Sequence, residues 1–512
     1  MITVRDAMRR AVQWNRNRLA VVAGEHRYTF GEAWARGCRF ANSLLALGLA
    51  PQDKIAVLEE NSLQAADFFL ATIIANFVRV PLYKRNAPEA HAHMMRHTGC
   101  RALVVDAQHL HEVEGIRDLV PSIEHVIVRG PDYETWLLGF SDTDPNPPVT
   151  LDHLYLIRHS GGTTGLPKGM GFTHRAWMNM QRDLTYRLDR IDQGDACIHV
   201  APISHGSGYL WVPVWIHGGY QVLEPKFDAA RALSLLAEHG GYMFAVPTLI
   251  SDLLVAAGDD PWSFPKLKAL VISGSPILPQ TALRARDLFG PVLNQFFGQT
   301  EATPIVWMTP REWFSKPEGS DPLLAAGRVL PFGCIEIRDD ENRPLGPNEV
   351  GEIAIQVDGQ ISEIWNSPEL SKKRIVDGWV LTGDIGRLDD NGYLYLSDRK
   401  DDLIITGGFN VWPAELEMVI GDLPQVQEVA VVRAPHARFG ETPAAVVVLR
   451  AGATLSQEEV IATCEKRLGK IKRPSIVEFR NVPLPRTPVG KVRRNELRKQ
   501  FWDGAEQTLR GA

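Results

Sequence analysis

Ser160-Gly161-Gly162-Thr163-Thr164-Gly165-Leu166-Pro167-Lys168-Gly169 follows an apolar, strand-like run from Leu154 to Ile157. Four glycines free the backbone to turn successive N–H groups toward one point, and three hydroxyls add donors without bulk. Such a loop can cradle phosphate oxygens. A Walker loop would place its lysine after a glycine and before Ser or Thr at the start of a helix. Here Lys168 stands between Pro167 and Gly169, and proline biases its predecessor toward extended geometry, so no Walker helix is expected. Taken alone, the stretch reads equally as a phosphate cradle or as a flexible surface linker.

The surrounding chain has 512 residues, enough for two to four domains or subdomains. A hydrophobic fraction of 45% with 23% charged residues fits a soluble globular protein. The net charge of −6 offers no basic field for nucleic acid and no polybasic membrane anchor. Cys38, Cys100, Cys197, Cys334 and Cys464 are scattered and odd in number, which favours reduced thiols in a cytoplasmic protein over a zinc site. Met1 to Asp6 lacks a signal-peptide pattern. The longest apolar stretch, Phe68 to Leu82, is broken by Asn76, Arg79 and Pro81; it reads as a buried helix running into a strand, and no transmembrane segment is expected.

Short β-branched runs alternate with helical patterns. The strands are expected around Ile55–Leu58, Ala102–Val105, Val126–Val128 and Ala269–Ser273, the helices at Ala229–His239 and Pro279–Phe289. That alternation predicts an α/β fold with largely parallel sheets. Beyond Gly327, alternating strands with Asp/Asn/Gly turns predict a small antiparallel β subdomain, about 327–398. The charged knot Asp398-Arg399-Lys400-Asp401-Asp402 marks a boundary between a large domain, 1–398, and an α+β domain, 402–512. The latter should hold a strand at Ala444–Leu449 and a helix at about Ser456–Leu468.

Four further segments could carry chemistry. Asn294-Gln295-Phe296-Phe297-Gly298-Gln299-Thr300-Glu301 reads as a strand whose end offers a flat ring, a glycine, a hydroxyl and a carboxylate. Open α/β sheets hold ligands at such ends, although a core aromatic followed by a helix N-terminal acid is the commoner case for such a pattern alone. Gly378-Trp379-Val380-Leu381-Thr382-Gly383-Asp384 reads as a turn whose carboxylate could accept from a ribose diol or serve the turn alone. Gly407-Gly408 before Asn410 suggests a tight hairpin that something passes closely. In Pro485-Arg486-Thr487-Pro488-Val489-Gly490-Lys491, a stiffened turn aims one ammonium or simply leaves it solvated.

In this order and spacing, together with Arg79-Val80-Pro81-Leu82 and Pro202-Ile203-Ser204-His205-Gly206, the segments resemble the adenylate-forming superfamily. That superfamily comprises acyl- and aryl-CoA synthetases, luciferases and peptide-synthetase adenylation domains, and the resemblance covers nearly the whole chain. It implies a large AMP-binding domain and a small mobile C-terminal domain swinging about a hinge at Asp401. It further implies that Ser160, Gly161, Gly162, Thr163, Thr164, Gly165 and Lys168 grip the β- and γ-phosphates of ATP. Gly274, Ser275, Pro276, Phe297 and Gly298 would border the adenine. Thr300 would touch the adenylate phosphate, and Glu301 would hold Mg²⁺. Asp384 and Arg399 would take the ribose, and Lys491 the carboxylate and α-phosphate. Gly407 and Gly408 would flank the pantetheine of coenzyme A, and His205 would stand at the mouth of the acyl pocket. Three positions depart from the usual pattern: Gly161 stands for a serine, Leu381 for an arginine and Phe297 for a tyrosine.

The implied activity is a two-step, AMP-forming ligation of a carboxylic acid to coenzyme A, using ATP and Mg²⁺. Alternatives are loading of a carrier-protein pantetheine and a nucleotide-binding homologue without catalysis. The acyl pocket is expected along His205–Tyr209, Val246–Thr248 and Thr303–Val306, stretches without Lys or Arg. A second charge on the acid would need a buried partner, so a monocarboxylate with an apolar aliphatic or aromatic tail is expected. The partners are then small molecules, with no nucleic acid, and a homodimer is compatible with the sequence.

Overall fold

Hydroxyl and proline residues mark where the helices begin. Thr3, Thr29 and Ser456 each accept from the backbone three residues on, while Asp6, Glu32 and Glu459 bond back, forming capping boxes. Pro247, Pro279 and Pro413 open helices at the first turn, where a missing N–H costs nothing. The two helices expected in the middle of the chain run over Ala229–His239 and Pro279–Phe289. The computed structural model describes residues 2–84, 86–159, 167–399, 402–406, 409–436, 439–487 and 490–502, without the side chains of Asp398, Arg399 and Asn410.

Three sheets organise these elements. The first orders His125–Arg129, Cys100–Asp106, Lys54–Leu58, Val78–Pro81, Leu154–His159 and Gly169–Thr173. All its pairings are parallel except the last. Its strands are near-continuous aliphatic runs because helices cover both faces. Phe68 to Leu82 reads out as expected, the end of helix Leu63–Ile74 followed by strand Val78–Pro81.

A second sheet has fourteen strands. Its parallel half runs through Tyr220–Leu223, Ala196–His199, Gly241–Ala245, Leu267–Ile272 and Leu293–Gln299. At Ala302–Met308 the direction reverses, and the sheet continues antiparallel through Gly327–Val329, Tyr393–Arg399, Trp379–Leu388, Gly351–Val357 and Gly333–Arg338. The β region read beyond Gly327 is thus present, but as a continuation of the large sheet. In the sheet interior, backbone pairing of Val306 with Val329 carries one half into the other.

The C-terminal part is a separate five-stranded sheet. Gly440–Leu449, longer than the stretch expected there, pairs antiparallel with Val426–His436 and parallel with Ile476–Arg480. Helix Gln457–Leu468 begins after Ser456, as the sequence indicated. Described residues of this unit meet the large domain at several points. A Cβ at Gly421 would touch Leu278, one at Gly490 would lie 3.3 Å from Val246, and the charges of Arg486 and Glu428 act on Asp252. Among the described residues, no helix is long and apolar enough to cross a membrane.

Candidate active site

The candidate residues stand at or beside the ends of several strands. Strand Leu154–His159 leads into Ser160, Gly161, Gly162, Thr163, Thr164 and Gly165, which lie outside the described residues. The chain resumes at Pro167, whose carbonyl meets His93 Nε2 at 3.0 Å. Exposed Lys168 then precedes an antiparallel strand, Gly169–Thr173, and no helix, as proline before the lysine requires.

Gly274, Ser275 and Pro276, expected to border a nucleotide, are exposed just past strand Leu267–Ile272. Gly274 has φ +98°, a backbone that suits glycine. Phe297 is half-buried on the neighbouring strand. Gly298 follows, where a Cβ would lie 2.4 Å from Thr303 Oγ1. Thr300 and Glu301 form the tip of the hairpin between Leu293–Gln299 and Ala302–Met308, so the helix N-terminus considered for Glu301 is not there.

Asp384 corrects a second reading. It lies inside strand Trp379–Leu388, backbone-paired with Arg399, rather than in a free turn. The pairing with the next strand shifts register here, Gly383 takes φ +70°, and its N–H donates to Glu352 Oε1 at 3.0 Å. This left-handed step within the strand is what the Thr-Gly-Asp spelling encodes. Gln299 Nε2 donates to Asp384 Oδ2 at 2.5 Å and to the Thr382 carbonyl at 2.9 Å. Arg374 Nη2 donates to the same carbonyl at 2.9 Å and approaches Glu301 Oε1 at 3.6 Å. Two residues unassigned in the sequence, Gln299 and Arg374, therefore tie the Asp384 carboxylate to the Glu301 carboxylate through one backbone oxygen. Gln299 lies within the quoted motif, whereas Arg374 closes helix Pro368–Arg374 and gives no local signal.

His205 is half-buried, its ring meeting Tyr83 edge-on at 5.5 Å. Gly206 and Gly208 cannot carry side chains there: a Cβ would lie 2.5 Å from Phe244 and 2.0 Å from the Ile203 carbonyl. Burial, then the charges of Arg158 and Lys491, hold the His205 imidazole well below its usual pKa, so it is neutral. Lys491 thus reaches His205 electrostatically although it belongs to the C-terminal unit. Its turn is braced: Lys491 N–H donates to Thr487 Oγ1 at 3.1 Å, and Arg486 Nη1 to the Gly490 carbonyl at 3.0 Å.

Arg158 was missed. It sits on the strand before the glycine-rich loop, outside the three stretches expected to line the acyl pocket, yet its guanidinium lies 4.4 Å from the Tyr209 ring. A cation thus stands beside Tyr209, at the end of one of those stretches, although the stretches themselves contain no Lys or Arg.

Of the other expected residues, Asp401, Gly407 and Gly408 lie outside the described residues, as does the Arg399 side chain. The strands flanking the two glycines, Ile404–Thr406 and Phe409–Val411, do pair as an antiparallel hairpin. Among the described residues no cluster of three His, Cys, Asp or Glu could hold a metal alone. A single carboxylate, Glu301, is nevertheless the donor set that suits Mg²⁺ carried in with substrate phosphates.

Comparison with known proteins is consistent along the whole length. The profile of the AMP-binding enzymes matches residues 8–365, and that of the AMP-binding enzyme C-terminal domain matches residues 415–491. A fatty acid–[acyl-carrier-protein] ligase, ScoC of Streptomyces coeruleorubidus, is 31% identical over 94% of this chain and 93% of its own. A feruloyl-CoA synthase of Amycolatopsis is 30% identical over 94% of this chain and 96% of its own. Among solved structures, ATP-bound MatB from Rhodopseudomonas palustris superposes with a TM-score of 0.88 at 28% identity, covering 99% of this chain and 100% of that one.

Proposed function

Since this chain belongs to the AMP-binding enzyme family of adenylate-forming enzymes, we propose that it is an AMP-forming carboxylic acid–CoA ligase. Its relatives include fatty-acid and aryl-CoA ligases, which supports ligation of an acid to a thiol. The observation that supports the reading is that Lys491 comes near enough for its charge to act on His205, while a Cβ at Gly490 would come within 3.3 Å of Val246. That arrangement suits the first half-reaction.

A carboxylate is a poor electrophile, so one of its oxygens attacks the α-phosphorus of ATP and expels pyrophosphate. Negative charge grows on the phosphoryl oxygens, and the Lys491 ammonium stabilises it. Mg²⁺ held at Glu301 would neutralise phosphate charge. Asp384, fixed by Gln299, accepts the ribose hydroxyls. The glycine-rich loop from Ser160 to Lys168 holds the leaving phosphates, Thr300 the α-phosphate, and Gly274 to Pro276 with Phe297 and Gly298 the adenine. Rotation of the C-terminal domain about Asp401 then withdraws Lys491 and brings the Gly407-Gly408 hairpin to the site. The thiol of coenzyme A attacks the acyl carbonyl and AMP leaves.

The acyl chain would lie among Tyr209, Phe244, Ile305 and Val306, which favours an aliphatic or aromatic body. Scattered free cysteines, four of the five buried, suit a cytoplasmic location. A second reading, transfer to a carrier-protein pantetheine, is favoured by the carrier-protein ligase among the relatives. Adenylation assayed with and without coenzyme A separates the two. Thioester formation supports the ligase, while pyrophosphate release without a thioester supports the carrier.

A further inference from the structure

Arg158 is a buried cation whose counter-charge the described residues do not provide. It is 1% exposed. Nη2 donates to the His205 carbonyl at 3.2 Å and the guanidinium hydrogen-bonds the Tyr209 side chain, while among the described residues Nε and Nη1 meet no acceptor at full hydrogen-bond geometry. Its guanidinium lies 4.4 Å from the Tyr209 ring centroid and 5.7 Å from that of Trp177. No carboxylate among the described residues forms an ion pair with it, and Glu301, whose charge reaches Tyr209, is already engaged by Arg374 at 3.6 Å. Aromatic faces offset part of the desolvation of a guanidinium. They do not replace an anion, and a buried charge left unpaired is costly.

Resting on the ligase reading above, we infer that Arg158 binds a second carboxylate, at the far end of the substrate acid. Two anions could meet this guanidinium, the carboxylate that is activated or one on the tail. The first loses its charge on forming the adenylate and remains neutral in the thioester. A guanidinium relying on it would be stranded in the middle of the reaction. A tail carboxylate keeps its charge through both half-reactions. Arg158 also lies on a strand of the large domain, so it stays in place when Lys491 is withdrawn. The planar guanidinium presents Nη1 and the second N–H of Nη2 in the fork geometry that a carboxylate accepts in two parallel bonds. The substrate class is thus an acid with an apolar middle and carboxylates at both ends. Lys491 serves the end that reacts, and Arg158 serves the end that does not.

The test compares acids of equal length with and without the terminal carboxylate: butyrate and succinate, hexanoate and adipate, octanoate and suberate, 4-methylbenzoate and terephthalate. Pyrophosphate release gives kcat/KM for each with the wild-type enzyme, Arg158→Lys and Arg158→Met. At one length or more, the wild type is expected to favour the dicarboxylate by about 10- to 100-fold, the scale of a charged hydrogen-bonded pair. Arg158→Met should abolish or reverse that ratio, and Arg158→Lys should retain part of it. Preference for the monocarboxylate at every length overturns the inference, and this arm needs no variant. A loss in Arg158→Met that is equal for both members of each pair also overturns it, assigning Arg158 to the reacting end or to packing. Absence of pyrophosphate release with any acid would instead overturn the ligase reading itself.

Discussion

Removing one ammonium group should separate the two half-reactions. Lys491 lies on a braced turn of the C-terminal unit, and its charge acts on His205 in the large domain. A unit charge about 4 Å from a developing phosphoryl charge contributes up to about 4 kcal/mol at an effective dielectric near 20. Lys491 is exposed, so water screens part of that. We expect Lys491→Ala to lower adenylation by about 10²–10³-fold, nearer the lower end, the scale seen for single charge-stabilising donors. The assay is ATP–pyrophosphate exchange for the first half-reaction and thioester formation from preformed acyl-adenylate and coenzyme A for the second. The second rate should stay within a few-fold of wild type. A companion variant reaches the same group through the backbone. Gly490 has φ +87° and its Cβ position lies 3.3 Å from Val246, so Gly490→Ala strains this docked arrangement by about 1–2 kcal/mol. It should slow adenylation by about 5- to 30-fold and again spare the second step. Equal losses in both half-reactions, for either variant, would refute the assignment of this turn to adenylation.

Two other perturbations read different parts of the molecule. Gln299→Leu removes the amide that holds Asp384 and leaves Thr382 with Arg374 alone; the KM for ATP should rise by about 10-fold with little change in that for the acid. His199 is buried, bonded through Nδ1 to Ser207 and through Nε2 to Gln221, and burial lowers its pKa to about 4. Its unfolded pKa is near 6.5, so the unfolded chain binds the extra proton first. The stability that neutral His199 contributes is present above pH 6.5 and is lost as pH falls toward 4, about 2 kcal/mol by pH 5. Urea midpoints at pH 7 and pH 5 should therefore converge in His199→Gln relative to wild type, and an unchanged difference would contradict this.

What the sequence revealed depended on how local its cause was. Helix starts were legible because a cap is a contact between residues three apart, as at Ser456 and Glu459. The parallel strands were legible because burial on both faces demands continuous aliphatic runs. The continuity of the antiparallel region with the large sheet was not, since it rests on Val306 meeting Val329 across an intervening segment. Asp384 was identified as a residue of interest, yet its setting inside a strand depends on a register shift set by Glu352. In the candidate site, the sequence marks residues within recognisable motifs but not the residues that brace them. Arg374 reaches Glu301 from a helix more than seventy positions away in sequence, and no periodicity signals such a contact. Arg158 lay in plain view one residue before the end of its strand, but period-two alternation alone does not tell which face of that strand meets Tyr209.

The central claim is that this chain joins carboxylic acids to a thiol through an adenylate. Pyrophosphate release with ATP and Mg²⁺, over a panel of mono- and dicarboxylic acids with and without coenzyme A, tests it most directly. We expect release that depends on the acid, with AMP and a CoA thioester accumulating together once coenzyme A is present. Acid-independent ATP hydrolysis, or no pyrophosphate with any acid, would contradict it.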